Sequence, residues 1–193
     1  MPAALPKRIA ILLNRDFADW EIGFLSATAR DFFQAKVDYL TPDGAGVSSE
    51  GGMRVASDGV FAQAESEDFD ALVICGSARW ADADAIDIGP SLRLADRRGA
   101  AIGVICAGTL TAARAGLFRH RMHTSNGAEW IAQKVPDYAG HEHYLQSQRA
   151  ILDSGVVSAP SNAPASFAAE VLGLLYPDRP ELQQVRTMLD GVR

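Results

Sequence analysis

Four short apolar runs, residues 8–13, 37–41, 71–74 and 101–105, restrict what this chain can fold into more than any other feature. Their near-continuous hydrophobicity is what strands of a parallel sheet covered on both faces require. Helical patterns lie between them. Residues 21–33 place Phe24, Leu25, Thr28 and Phe32 on one stripe, and residues 91–98 and 109–115 follow the third and fourth runs. Strand then helix, repeated, predicts an α/β fold.

Two stretches depart from that alternation. Residues 46–57 read as a short antiparallel ladder around the turn Glu50-Gly51-Gly52, a decoration beside the main sheet. Residues 150–158 read as a hairpin turning at Asp153-Ser154-Gly155. A helix over 164–175 starts at Pro164, with Asn162 or Ala163 at its cap and Asn162 the better capping residue. A last helix covers 181–189. No internal repeat or linker divides the chain, so its 193 residues are read as one domain, 1–193.

A domain of this size buries about 70% of the surface that its unfolded chain exposes, enough for a core without staples. The net charge of −6 and the absence of any longer basic run than Arg97-Arg98 or Arg119-His120-Arg121 argue against nucleic acid as a partner. No apolar stretch is long enough to cross a bilayer, and residues 1–7 lack the order of a secretory signal, so the expected location is the cytoplasm. The two cysteines, Cys75 and Cys106, form no closely spaced pair, which speaks against a disulfide framework.

Cys106 follows the fourth strand and precedes the small-residue run Ala107-Gly108-Thr109. That order suits a nucleophile elbow, a sharp strand-to-helix turn that pushes a side chain out above the sheet. The positive end of the helix starting near Gly108 would favour thiolate over thiol. The plain alternative is a small hydrophobe buried at a strand end. His141-Glu142-His143 could set two imidazoles on one face, but two ligands do not close a metal site, and solvent-facing loop residues are the simpler reading. Trp80 and Trp130 could line a pocket or belong to the core.

The elbow Val104-Ile105-Cys106-Ala107-Gly108, the acidic residue in Ala18-Asp19-Trp20-Glu21, and the turn Cys75-Gly76-Ser77 resemble the ThiJ/PfpI superfamily. The likeness covers nearly the whole chain, including residues 48–52 and 157–167, and is closest to the bacterial glutamine amidotransferase-like branch. It implies a flavodoxin-like three-layer sandwich with a central, mainly parallel sheet and a nucleophile elbow. It also implies that Cys106 is the nucleophile and that a protonated Glu21 hydrogen-bonds its sulfur. Burial and a like charge would both keep that carboxyl neutral; without the likeness, Glu21 would be an ordinary acidic residue in a first helical turn.

By the same likeness, the N–H groups of Gly76, Ser77 and Ala107 form an oxyanion site. The chain departs from the family by carrying Ser77 where a glycine is usual. It departs again in its histidine: matching the family pattern to His123-Thr124-Ser125-Asn126 puts Asn126 there, although His123 is a second pocket candidate. Cys75 is close enough in this scheme to suggest a reversible disulfide with Cys106, with simple packing as the alternative.

The expected function is a cysteine-dependent hydrolase or lyase acting on a small carbonyl, amide or related compound, with no cofactor and no metal. A non-catalytic redox or stress sensor, in which Cys106 is oxidised, is the alternative. A glutaminase subunit ranks last, because no late His-x-Glu completes its triad. The likeness alone implies a homodimer.

Overall fold

Each apolar run becomes a strand in the computed structural model, which describes residues 5–191. The chain begins β1 (Arg8–Leu12), α1 (Asp19–Phe33), β2 (Lys36–Thr41), β3 (Val47–Ser48), β4 (Arg54–Val55) and β5 (Gly59–Val60). It continues through α2 (Gln63–Ser66), β6 (Ala71–Ile74), α3 (Gly89–Arg98), β7 (Ala101–Ile105), α4 (Thr109–Arg114) and α5 (Ala128–Lys134). It closes with β8 (Ile151–Asp153), β9 (Val156–Ala159), α6 (Pro164–Leu175) and α7 (Glu181–Asp190).

Seven strands form one sheet in the order β5, β2, β1, β6, β7, β9, β8. Every neighbouring pair is parallel except β8 with β9. The late hairpin therefore belongs to the main sheet: β9 lies beside β7 with Ser158 opposite Val104, and β8 closes the edge. The ladder of β3 and β4 stands apart as a two-stranded sheet. This is the flavodoxin-like sandwich implied by the resemblance, and it exposes the carboxyl ends of β1, β6 and β7 where such sheets bind ligands.

Alternation along the strands divides the core in two. Ile9, Ile11, Val73, Ala101, Ile105 and Val157 face a layer that includes α1, α6 and α7, whereas Ala10, Leu12, Leu72, Ile74, Ile102 and Val104 face α3, α4 and α5. Gly103 makes room for α6, since a Cβ there would lie 2.9 Å from Phe167 Cζ and 3.1 Å from Val171 Cγ2.

One local expectation is corrected, and one left between two residues is decided. The buried stripe of α1 runs through Ile22, Leu25, Ala29 and Phe33, and Phe24 and Phe32 only flank it. The helix begins two residues earlier than the sequence pattern indicates, and its register follows the sheet. At α6, Pro164 opens the helix as expected, but Ala163 occupies the cap position without a side-chain bond, because Asn162 turns to Gln148 instead.

Phe167 is fully buried on the glycine gap in β7. Phe167→Ala should cost about 3–5 kcal/mol of stability, because the cavity cannot be filled by the sheet backbone. Urea unfolding checks this through a lower midpoint at unchanged m-value; a loss under about 1 kcal/mol would contradict the packing.

Candidate functional site

β7 ends in extended backbone at Ile105, and Cys106 then takes φ +54°, in the left-handed region that a side chain seldom occupies. A tight turn, Cys106–Gly108, leads into α4. This is the nucleophile elbow read from the sequence. Such a conformation persists only where the surroundings determine it. Here Gly108 lets the turn press on β6, as a Cβ would lie 2.6 Å from the Ile74 carbonyl oxygen. Thr109 Oγ1 donates to the Cys106 carbonyl at 2.6 Å and meets Ser125 Oγ at 2.6 Å.

Glu21 arrives from the opposite side, in the first turn of α1, and is completely buried. The start of α1 is stitched to the turn after β6 by the bond from Ala18 N–H to Gly76 O, 2.9 Å. The Gly76 N–H donates to Glu21 Oε2 at 2.9 Å. Gly76 must be glycine for this approach: a Cβ would lie 2.2 Å from Glu21 Oε2 and 2.8 Å from Cys106 Cβ. Glu21 Oε1 is buried with no hydrogen-bond partner among the described residues, and the carboxyl and the Cys106 side chain lie on the same side of Gly76.

Burial pushes the Glu21 carboxyl up to about 7, opposed by the bonds from Cys106 and Gly76 and assisted by the charge of Glu50. The Cys106 thiol is pushed up to about 12, first by burial and then by the negative charge of Glu21, while the Asn126 side chain and the Ala107 N–H act in the other direction. The expectation that the helix end would lower this thiol is not met. α4 is only six residues long, and burial beside a carboxylate outweighs its dipole. The two groups give up one proton near 7 and hold the other to about 12. Between those values one proton serves both.

Asn126 does face the thiol: its Nδ2 donates to Cys106 Sγ at 3.2 Å, and its Oδ1 accepts the Ser161 N–H at 2.9 Å. Ser77 adopts ordinary extended backbone at φ −159°, so no glycine is needed there, and its Oγ donates to Arg15 O at 2.6 Å. The expected oxyanion set loses Gly76, whose N–H is taken by Glu21.

Three pocket candidates belong to the core. Trp80 is fully buried, stacks near Phe61, and donates from Nε1 to the Cys75 carbonyl at 2.9 Å. His123 is fully buried on the face of Phe118, with Nδ1 at 2.8 Å from Arg121 O and Nε2 on the Tyr138 hydroxyl. Burial lowers its pKa, and it takes no part at the sulfur. Cys75 is buried with its thiol on Ala18 O at 3.4 Å, and both cysteines are free. Trp130 packs partly buried against the core on the α5 side. His141–His143 form a short turn, and among the described residues no group of three or more ligating side chains is arranged around a metal position.

Thr109, Ser125 and Ser161, which position Cys106 and Asn126, escaped the sequence reading. Hydroxyl and backbone groups carry no spacing signal of their own; for Ser161 the signal lay only in the family likeness over 157–167.

The profile of the DJ-1/PfpI family matches residues 7–174. A protein of Bacillus subtilis (strain 168) named uncharacterized protease YoaZ is 27% identical over 173 residues, covering 86% of this chain and 82% of that protein. The crystal structure of a DJ-1 superfamily protein from Agrobacterium tumefaciens is 36% identical, with a TM-score of 0.88 over 97% of this chain and all of that one (100%). Drosophila melanogaster DJ-1beta, 18% identical with a TM-score of 0.74 over 96% of this chain and 98% of its own, shares the fold.

The buried carboxyl sets a pH dependence. Its folded value of about 7 lies above the ordinary 4.5, so between those values the folded protein holds the extra proton, and stability falls as pH rises through the window. The loss amounts to roughly 3 kcal/mol. His123, lowered by burial, acts in the opposite direction in acid, so the informative quantity is the stability of the wild type minus that of Glu21→Gln. That difference should decline between pH 5 and 7; a flat difference would contradict the raised value.

Proposed function

Because the chain belongs to the DJ-1/PfpI family, matched over residues 7–174, we propose that it is a cysteine-dependent enzyme of hydrolase or lyase type acting on a small carbonyl, amide or related compound. The observation that carries this reading is the buried Glu21 carboxyl closing on Cys106 at a left-handed elbow. Glu21 Oε1, which has no other partner, is the place for the shared proton. As the sulfur attacks, its proton passes to Glu21, and Asn126 Nδ2 and the Ala107 N–H stabilise the thiolate so formed.

The thiolate attacks the carbonyl carbon, forming the S–C bond, and the π electron pair moves to oxygen. For an ester or amide, the leaving group departs with the C–O or C–N bond pair and takes the proton from Glu21. Water then hydrolyses the thioester, returning the proton to the pair. The N–H groups of Ser77 and Ala107 are the backbone donors proposed for the developing charge.

A non-catalytic redox sensor is the second reading, favoured by the absence of any imidazole at Cys106, since His123 is locked in the core. There, two equivalents of a peroxide each deliver one oxygen atom to the sulfur and leave as water or alcohol, giving a sulfinate. A glutaminase subunit has no observation in its favour. We further propose a homodimer in the cytoplasm. The exposed Met53, which lines a groove of about 430 Å³ between α1 and β4, supports the first of these. Among the described residues no helix is long and apolar enough to cross a membrane.

Turnover of a panel of small reactive carbonyls and activated esters should fall to the uncatalysed background in Cys106→Ser, and turnover retained by that variant would overturn the assignment. Peroxide treatment followed by intact-mass analysis separates the two readings. A stoichiometric gain of two oxygens at Cys106, with no turnover of any compound in the panel, would establish the sensor instead.

A further inference from the structure

We propose that Asn126 is a catalytic residue of this site, the side-chain donor that binds the oxyanion formed when Cys106 attacks a carbonyl. The proposal rests on the reading of Cys106 as nucleophile and deepens it. It starts from a vacancy in the donor set: the Gly76 N–H, one of the expected oxyanion donors, is spent on Glu21 Oε2. A donor aimed at the reacting atom must come from elsewhere, and Asn126 Nδ2 lies 3.2 Å from the sulfur itself.

The amide is oriented by its other end. A backbone N–H can be accepted only by the oxygen, so the 2.9 Å bond from Ser161 N–H to Oδ1 forces the nitrogen toward Cys106. The chain around it is fastened on three sides. The Thr124 N–H donates to Ser158 Oγ at 3.0 Å, Ser125 Oγ meets Thr109 Oγ1 at 2.6 Å, and the Tyr144 hydroxyl donates to Ser125 O at 3.1 Å. A donor held in this way needs no reorganisation when charge appears, which is the condition for electrostatic stabilisation of a transition state. Nδ2 carries two N–H groups, and only the bond to sulfur engages it among the described residues. Asn126 is also exposed, so an incoming carbonyl can reach it.

An amide neither takes nor releases a proton near neutral pH, so this role differs from that of a histidine base. The proton stays with Glu21. As the S–C bond forms, the oxygen that receives the π pair lies one bond beyond the sulfur, within reach of the same nitrogen. When the tetrahedral carbon collapses, the pair returns from oxygen to carbon, the leaving group departs, and Asn126 is unchanged.

Two reactions at the same sulfur test the proposal. Iodoacetamide alkylates by displacement at a saturated carbon and forms no oxyanion. p-Nitrophenyl acetate acylates through a tetrahedral oxyanion and releases p-nitrophenolate, a visible burst. Both rates are measured across pH on the whole protein and on Asn126→Ala and the near-isosteric Asn126→Leu, with the modified residue located by mass spectrometry and folding checked by thermal melting. At matched thiolate fraction, both variants should lose acylation by about 100- to 1,000-fold, with alkylation changed by less than about threefold. Equal losses in both reactions at fixed pH that vanish at matched thiolate fraction would show that Asn126 acts only on thiol ionisation, and unchanged acylation would show that it only orders the loop; either overturns the proposal. A wild-type protein unreactive at Cys106 toward both reagents would overturn the nucleophile reading itself, and the proposal with it.

Discussion

A carboxyl group without solvent exposure, pressed against a cysteine in left-handed backbone, sets the conditions that the rest of the site must meet. Burying an ionisable group raises the cost of charging it, and Glu21 responds by holding its proton to about 7. The contact exists because two glycines permit it. Gly76 brings the β6 turn under both side chains, and Gly108 lets the elbow settle on Ile74. The turn at Gly76 also satisfies one carboxyl oxygen, and the other is buried with no hydrogen-bond partner among the described residues. Backbone strain at Cys106, desolvation at Glu21 and two close backbone approaches thus converge at one point at the carboxyl end of the sheet.

The consequence for chemistry is a division of labour without an imidazole. In a cysteine–histidine pair, one ring takes the proton and carries the positive charge that stabilises the thiolate. Here the proton and the stabilisation are separate: Glu21 is placed for the proton, and neutral N–H donors at Asn126 and Ala107 support the sulfur. Among the described residues no cationic side chain donates to Glu21 or to the sulfur. The site's acidity depends on burial and donor geometry, so substitutions that leave every charge intact can still alter it.

Much of this was legible in the sequence, for identifiable reasons. Buried parallel strands write themselves as apolar runs, so β1, β6 and β7 were visible to within a residue, and Pro164 marked the first turn of α6. The elbow was visible because small residues must follow a strand at such a turn. Glu21 was separable from an ordinary first-turn acid only through the family likeness, since its burial comes from the β6 turn, 55 residues further along. Whether Trp80 and His123 line a pocket or belong to the core stays open in the sequence for the same reason. An indole N–H on a carbonyl and an imidazole between a carbonyl and a phenol are core arrangements that no local pattern reveals. Asn126 was matched to the right position, but its orientation depends on the Ser161 N–H, 35 residues away.

The central claim is that burial beside Cys106 makes Glu21 hold its proton up to about pH 7, and the infrared carbonyl stretch of a protonated carboxyl reads this directly. The measurement is the difference spectrum between the wild type and Glu21→Gln, recorded from pH 5 to pH 9. The account predicts a protonated-carboxyl band that is present at pH 5 and fades with a midpoint near 7. A band already lost below pH 5.5, as for a carboxyl near its ordinary 4.5, would contradict the account.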